Sequence, residues 1–146
     1  MNLPRTTTVF PNLQRDADAR GEILSIVDCA VMNVSLISCN PGAIRSNHYH
    51  LNDFHFMYVL DGEIDYFYKE SHTGEVKYIK VRSGENIFTP DNEIHATYFP
   101  VRTRLIVSSK LPRDQESYER DTVRVRFVTH ENLHEMLERY CWIRQQ

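Results

Sequence analysis

Four histidines stand at spacings that could place them around one metal ion. His48 and His50 are two residues apart, so both side chains project from the same face of an extended strand. His55 follows after four further residues, and His95 begins a later apolar run. Neutral imidazole nitrogens suit Fe, Mn, Co, Ni, Cu and Zn, whereas Mg and Ca prefer oxygen ligands. The pattern therefore predicts one divalent transition-metal ion held by these four histidines.

Short runs rich in Val, Ile, Tyr and Phe surround these histidines, and each run ends in a turn signal. Their spacing of about ten residues is typical of a β-sandwich or barrel. The predicted strands are Ile23–Val27, Val31–Cys39, Phe56–Leu60, Ile64–Tyr68, Val76–Val81, Asn86–Thr89, His95–Phe99 and Arg104–Ser109.

The pair Asp61-Gly62 is typical of a two-residue β-hairpin turn. In such a hairpin Tyr68 would lie opposite His55, and Tyr66 one step along the same face. Each phenol could then donate a proton beside the metal, and both tyrosines are predicted catalytic residues. The alternative is that they are aromatic core residues of a barrel.

The same hairpin register places three aromatic residues on the opposite face, namely Phe56, Tyr58 and Phe67. These side chains would be exposed unless a second sheet or a second subunit covered them. A homodimer is therefore expected.

The last segment changes its hydrophobic period from two to that of a helix. Thr129 could cap a helix whose apolar stripe is Leu133, Met136, Leu137, Tyr140 and Ile143. The expected organisation is a single domain, with an irregular arm over 1–20, a barrel over 21–128 and a C-terminal helix over 129–146. His130 and His134 form an HExxH pattern, the zinc-protease signature, but no histidine follows them as a third ligand.

Composition excludes several classes of function. The chain has 146 residues, a net charge of -3 and a sequence pI near 6.1, so no basic field attracts nucleic acid. No run of about 20 apolar residues predicts a membrane span, and no apolar run near the N-terminus resembles a signal peptide. The three cysteines form no metal-binding spacing. A cytoplasmic protein with a small-molecule substrate is expected.

The histidine spacing resembles the two motifs of the cupin family. The first motif, a glycine, an HxH pair, a fourth ligand position and a closing glycine, matches Gly42, His48, His50, His55 and Gly62. The second motif matches Gly84, Pro90 and His95, while Asn92 and Phe99 replace its second glycine and its final asparagine. The resemblance implies an all-β cupin jelly-roll barrel with a metal ion inside, and often a homodimer.

The sequence departs from the cupin pattern at His55, where most cupins carry a glutamate. Four neutral ligands would leave the charge of a divalent ion uncompensated, which favours an anionic or enolate-like substrate. The alternative is a three-histidine site in which His55 does not ligate. Arg45, expected in the loop before the HxH pair, could meet an anionic substrate, although a solvated loop arginine is the simpler interpretation.

Three functional classes remain open, because a fold does not determine a reaction. The segment Arg45-Ser46-Asn47-His48-Tyr49-His50 resembles small cupins associated with carbohydrate synthesis. An isomerase or epimerase acting on a sugar or sugar nucleotide is therefore the preferred hypothesis. A non-haem iron dioxygenase and a non-catalytic ligand-binding cupin are the alternatives.

Overall fold

Two five-stranded antiparallel sheets form the protein, in a computed structural model that describes residues 2–10 and 15–142. The first sheet has the order β1-β9-β6-β11-β4, the second has the order β12-β5-β10-β7-β8, and β2 and β3 form a separate hairpin. The strands are β1 (Thr8–Phe10), β2 (Arg15–Asp18), β3 (Gly21–Leu24), β4 (Asn33–Cys39), β5 (Ala43–His50), β6 (His55–Asp61), β7 (Glu63–Lys69), β8 (Lys77–Arg82), β9 (Asn86–Thr89), β10 (Ile94–Phe99), β11 (Thr103–Ser109) and β12 (Thr122–Arg124). The helices are α1 (Gln115–Asp121) and α2 (Leu133–Met136), and a π-helical segment (Leu137–Trp142) continues α2.

The space between the sheets is filled by side chains that alternate along each strand, as a period of two requires. The inner cluster includes Met57, Val59, Ile64, Tyr66 and Leu105, all of which are buried. The predicted all-β jelly roll with a short C-terminal helical segment is confirmed.

Gly62 does not form the predicted hairpin, and this prediction is wrong. β6 pairs with β9 and β11 in the first sheet, whereas β7 pairs with β8 and β10 in the second. Gly62, at φ +92°, therefore carries the chain from one sheet to the other. The partner of Tyr68 in the register is His95 rather than His55.

The aromatic side chains on which the dimer prediction was based are covered, fully or in part, by other residues of the same chain. Phe56 and Phe67 are 1% and 0% exposed, and Tyr58 is half-buried. Phe56 packs against Phe88, with the ring centroids 5.0 Å apart, and Phe67 lies in a cluster with the C-terminal segment. The premise that a partner must cover Phe56 and Phe67 is wrong, and the homodimer stays a prediction.

Segments near both ends of the described chain contact the barrel sheets. Near the N-terminus, residues of the expected irregular arm form strand β1, which pairs with β9. At the other end, Asn132 rather than Thr129 stands at the N-cap of α2. The predicted apolar stripe packs against the outer face of the second sheet through Leu133, Met136, Leu137 and Tyr140, while Ile143 lies outside the described residues. Among the described residues, no helix has the length and apolar character to span a membrane.

Gly62→Ala should destabilise the fold more than Gly84→Ala. Both glycines have positive φ, near 90°, which costs an alanine about 1 kcal/mol or more. A Cβ at Gly62 would additionally lie 2.6 Å from the Arg102 carbonyl oxygen, whereas a Cβ at Gly84 meets nothing within 4 Å. Urea unfolding of the two variants measures the difference, and equal losses of unfolding free energy would contradict this account of the crossing.

Candidate functional site

The four predicted histidines converge inside the barrel. β5 carries His48 and His50, β10 carries His95 opposite His48 in the register, and β6 brings His55 from the other sheet. The imidazole centroids of His48 and His50 are 4.5 Å apart, those of His48 and His95 are 4.8 Å apart, and those of His50 and His55 are 4.5 Å apart. All four side chains are buried.

The possible ligand atoms fall into two groups that share His50. One group is His48, His50 and His95, and the other is His50, Asp53 and His55. Within each group the ligand atoms lie within 4.8 Å of one another. Because both groups meet at His50, this imidazole is the centre of the cluster.

Hydrogen bonds fix the orientation of the His50 ring. The Thr122 hydroxyl donates to the Tyr118 carbonyl oxygen at 2.6 Å, so it is free only to accept from His50 Nδ1, 3.3 Å away. With the proton on Nδ1, Nε2 is unprotonated and its lone pair is available to a ligand. This Nε2 is buried without a hydrogen-bond partner among the described residues, an arrangement that costs free energy unless a ligand satisfies it.

The Nδ1 atoms of His95 and His55 also contact groups outside the histidine cluster. His95 Nδ1 donates to the Glu93 carbonyl oxygen at 3.0 Å, which also leaves its Nε2 unprotonated. His55 Nδ1 lies 3.0 Å from Ser109 Oγ. Metal-binding histidines are oriented by such bonds to the ring nitrogen that does not ligate. The donor set therefore fits a borderline transition metal ion.

Burial keeps the cluster neutral. Loss of solvation, reinforced by the other charges nearby, lowers the pKa of His48 to about 2. Burial lowers the pKa of His50 to about 4 despite the charge of Asp121, and that of His95 to about 4 despite its bond to Glu93. The pKa of His55 lies well below its usual value for the same reason. Neutral imidazoles retain the lone pairs that a metal ion or a proton requires.

Two buried carboxylates lie beside the cluster, and sequence reasoning missed both. Asp121 Oδ2 is 3.8 Å from His50 Nδ1, and Asp53 Oδ2 is 3.7 Å from His55 Nδ1. Asp121, at the end of α1, also accepts hydrogen bonds at 2.9 Å from the backbone amides of Asn52 and Asp53. Burial raises the pKa of Asp53 to about 6. Nothing in the local sequence marks Asp121, which lies about seventy residues beyond its histidine.

A cavity of about 90 Å³ opens on the histidines. This volume is well below the roughly 300 Å³ at which pockets for whole small molecules begin, so it admits only one end of a larger ligand. The Arg113 guanidinium carbon lies 5.5 Å from the centroid of the Tyr118 ring. The polar and charged side chains on the cavity wall include His48, His55, His95, Arg45, Arg113 and Tyr118.

Arg45 lies on the cavity wall, but on a strand instead of in the expected loop. It is an exposed residue of β5 and pairs with Thr97 of β10. Ser46 and Asn47 follow it with positive φ, where the register between β5 and β10 shifts. Its contact with an anionic substrate stays a prediction.

Tyr66 and Tyr68 lie near the histidines but are not among the residues that line this cavity. The Tyr66 ring stacks on His95 with the centroids 6.0 Å apart, and its hydroxyl is 2.7 Å from Thr89 Oγ1. Burial raises the pKa of Tyr66 far above its usual value. Tyr68 packs against Tyr66, with the centroids 5.8 Å apart. Their catalytic role therefore stays a prediction, and the tyrosine on the cavity wall is Tyr118.

The HExxH pattern does not form a metal site in the described part of the chain. His130 is exposed, and the side chain of His134 is 81% exposed and lies 3.9 Å from Glu138. Glu131 pairs with Arg126. The metal-ligating groups found among the described residues all belong to the barrel cluster.

Comparison with known proteins identifies the fold. No family model and no curated protein matches the sequence. QdtA, a sugar 3,4-ketoisomerase from Thermoanaerobacterium thermosaccharolyticum solved with TDP, is 16% identical with a TM-score of 0.66, over 92% of this chain and 97% of that one. WlaRA, a TDP-fucose-3,4-ketoisomerase from Campylobacter jejuni, is 14% identical with a TM-score of 0.65, over 80% and 87%.

A third solved structure is CapF, a capsular polysaccharide assembling protein from Staphylococcus aureus. It is 19% identical with a TM-score of 0.59, and the match covers 80% of this chain and 33% of CapF. At these identities the likeness shows the fold alone, which is an all-β jelly roll.

Tyr66→Phe should lower the free energy of unfolding by about 1 kcal/mol, because it removes the buried hydrogen bond to Thr89. Thr89→Val removes the same bond from the other side. If the bond causes the loss, the double variant will lose less than the sum of the two single variants in denaturant unfolding. Strictly additive losses would show that the two hydroxyls are not coupled.

Proposed function

We propose that the protein is a metal-dependent isomerase that moves a carbonyl group between adjacent carbons of a sugar nucleotide. The observation that carries this proposal is Nε2 of His50, which lies at the centre of a neutral histidine cluster and is buried without a hydrogen-bond partner among the described residues. The choice of substrate class is supported by fold neighbours named as 3,4-ketoisomerases of TDP-linked sugars.

The proposed metal ligands are His48, His50 and His95. Support comes from the grouping of their ligand atoms within 4.8 Å and from the Nδ1 bonds that leave Nε2 of His50 and His95 unprotonated. His55 belongs to the other group, with Asp53, which favours the three-histidine alternative. When bound, a divalent ion would act as a Lewis acid that polarises a substrate carbonyl.

His55 is the proposed general base. Its Nδ1 faces Ser109 and Asp53, so its other nitrogen remains for the substrate. In a carbonyl shift the base removes the proton from the carbon next to the carbonyl group. The proton then returns to the former carbonyl carbon, and the hydroxyl proton of the neighbouring carbon moves in the same direction, to the former carbonyl oxygen. Asp53, 3.7 Å from Nδ1, stabilises the imidazolium that exists between the two transfers.

The small cavity is consistent with this reaction, because only the reacting edge of the sugar needs to enter it. A volume of about 90 Å³ excludes the nucleotide, which would remain outside the barrel. The dioxygenase and binding-module alternatives gain no specific support from the cluster, and the experiments below detect both of them.

Purified protein should bind close to one transition-metal ion per chain, and His48→Ala with His50→Ala should abolish this binding. Removing two of the three ligands leaves too few donors to hold the ion. The matched control is His130→Ala with His134→Ala, which removes two exposed histidines. Elemental analysis after equilibrium dialysis makes the comparison, and equal metal content in the three proteins would contradict the proposed centre.

His55→Gln should retain the metal and lose isomerase activity by about a hundredfold or more, as expected for a general base. The assay follows nucleoside-diphosphate 4-keto sugars by NMR in D₂O, which detects both the isomer and deuterium incorporation at the exchanging carbon. If the variant loses its metal, His55 is a fourth ligand instead, as the sequence pattern predicts. Wild-type protein that binds metal but consumes oxygen, or that leaves every keto sugar unchanged, would contradict the isomerase proposal.

A further inference from the structure

The segment between β11 and β12 supplies two cavity residues that the cupin pattern of the sequence does not contain. Arg113 precedes α1, and Tyr118 lies within it. Both line the cavity, and the guanidinium lies over the Tyr118 ring at 5.5 Å from its centroid. The Tyr118 ring also lies against the histidine cluster, at centroid distances of 6.3 Å to His48 and 5.7 Å to His50.

The polar ends of these two side chains have no partner within residues 2–10 and 15–142. No described carboxylate or hydrogen-bond acceptor meets the Arg113 guanidinium, whereas nearby Arg120 and Arg124 are paired with Glu116 and Glu119. The Tyr118 hydroxyl likewise makes no hydrogen bond to any residue that the structure describes. The stacking fixes the two groups relative to each other and leaves their donors available.

The charge on the cavity wall is of one sign. Arg45 and Arg113 line it, and none of the described residues that line it is an aspartate or glutamate. Asp53 and Asp121 lie behind His55 and His50, outside this wall. A site with cationic side chains, no carboxylate on its wall and neutral imidazoles stabilises negative charge on whatever enters it.

We propose that Arg113 and Tyr118 form an oxyanion-binding site, so that the ligand entering this cavity presents a small oxygen-centred anion, such as an enediolate or a carboxylate. Arg113 binds the charge, and Tyr118 donates its hydroxyl hydrogen to the anionic oxygen. This inference rests on the proposed isomerisation for its catalytic role.

In that reaction the carbon next to the carbonyl group gives its proton to His55, and negative charge forms on the carbonyl oxygen. The Tyr118 hydroxyl then donates its proton to this oxygen and neutralises the charge. Tyr118 regains a proton from the neighbouring hydroxyl as the new carbonyl forms.

The test uses oxalate, a planar dianion small enough for the cavity, and needs no isomerase activity. Its affinity is measured by isothermal titration calorimetry, both on metal-loaded protein and on protein treated with a chelator. Arg113→Gln should weaken oxalate about tenfold to a hundredfold in both forms, the range for loss of a charge-assisted hydrogen bond. Tyr118→Phe keeps the ring that stacks on Arg113 and should weaken oxalate by a smaller factor.

Matched controls separate this effect from a general change in charge or stability. Arg126→Gln removes an arginine that pairs with Glu131, and Tyr98→Phe removes a hydroxyl on β10; neither residue lines the cavity, and both variants should bind oxalate as the wild type does. Arg113→Lys retains the positive charge but lacks the planar guanidinium group, so it should give an intermediate affinity. This variant keeps the test valid if Arg113→Gln does not fold.

Equal oxalate affinity in wild type and in the Arg113 variants would overturn the inference, as would a wild-type protein that does not bind oxalate in either form. These outcomes are independent of the keto-sugar assay. A protein that binds oxalate through Arg113 and isomerises no sugar keeps the oxyanion site and loses the proposed function. A protein that isomerises sugars with Arg113→Gln at the wild-type rate keeps the function, and the site then has no part in the reaction.

Discussion

Four imidazoles can share the interior of one small barrel only if they are neutral, and the rest of the site follows from this constraint. Burial makes each imidazolium unfavourable, and the proximity of His48, His50 and His95 would add repulsion if any two were charged. Hydrogen bonds from outside then decide which nitrogen carries the proton. Thr122 and the Glu93 carbonyl fix it on Nδ1 of His50 and His95, and Nε2 of His50 is left buried without a hydrogen-bond partner among the described residues.

The fold provides this arrangement by drawing ligands from both sheets. β5 and β10 are neighbours in the second sheet and bring His48, His50 and His95 together, while β6 contributes His55 from the first sheet. The crossing at Gly62 separates β6 from β7, so His55 faces the cluster across the barrel instead of belonging to a local hairpin. α1 completes the site, because Asp121 at its end joins the backbone of Asn52 and Asp53 to His50.

The sequence predicted those parts of the site that depend on short-range geometry. The spacing of His48 and His50 placed both on one strand face. Asn92, which replaces a glycine of the second motif, adopts a positive φ, a conformation that asparagine tolerates. The hairpin prediction at Asp61-Gly62 failed because local turn preference was weaker than the long-range pairing of β6 with β11. α1 was missed because the segment Gln115–Asp121 is polar, with no apolar stripe to reveal a helix.

Most of the residues that sequence reasoning overlooked act on a histidine that is distant along the chain, and Asp53, two residues from His55, is the exception. Asp121, Thr122 and Tyr118 contact His50 across about seventy residues, and no periodicity links them. Arg113 likewise lines the cavity although it is distant along the chain from His48 and His55. Pattern analysis therefore found the possible ligands, whereas the groups that orient them and that face a substrate required the tertiary structure.

Anomalous diffraction from crystals of the zinc-loaded protein tests the central claim most directly. The account predicts one zinc peak inside the barrel, about 2.0–2.1 Å from the Nε2 atoms of His48, His50 and His95, with Nδ1 of His50 still directed at Thr122. A barrel cluster without a peak at saturating zinc would contradict the claim, and so would a peak bound by the Nδ1 nitrogens.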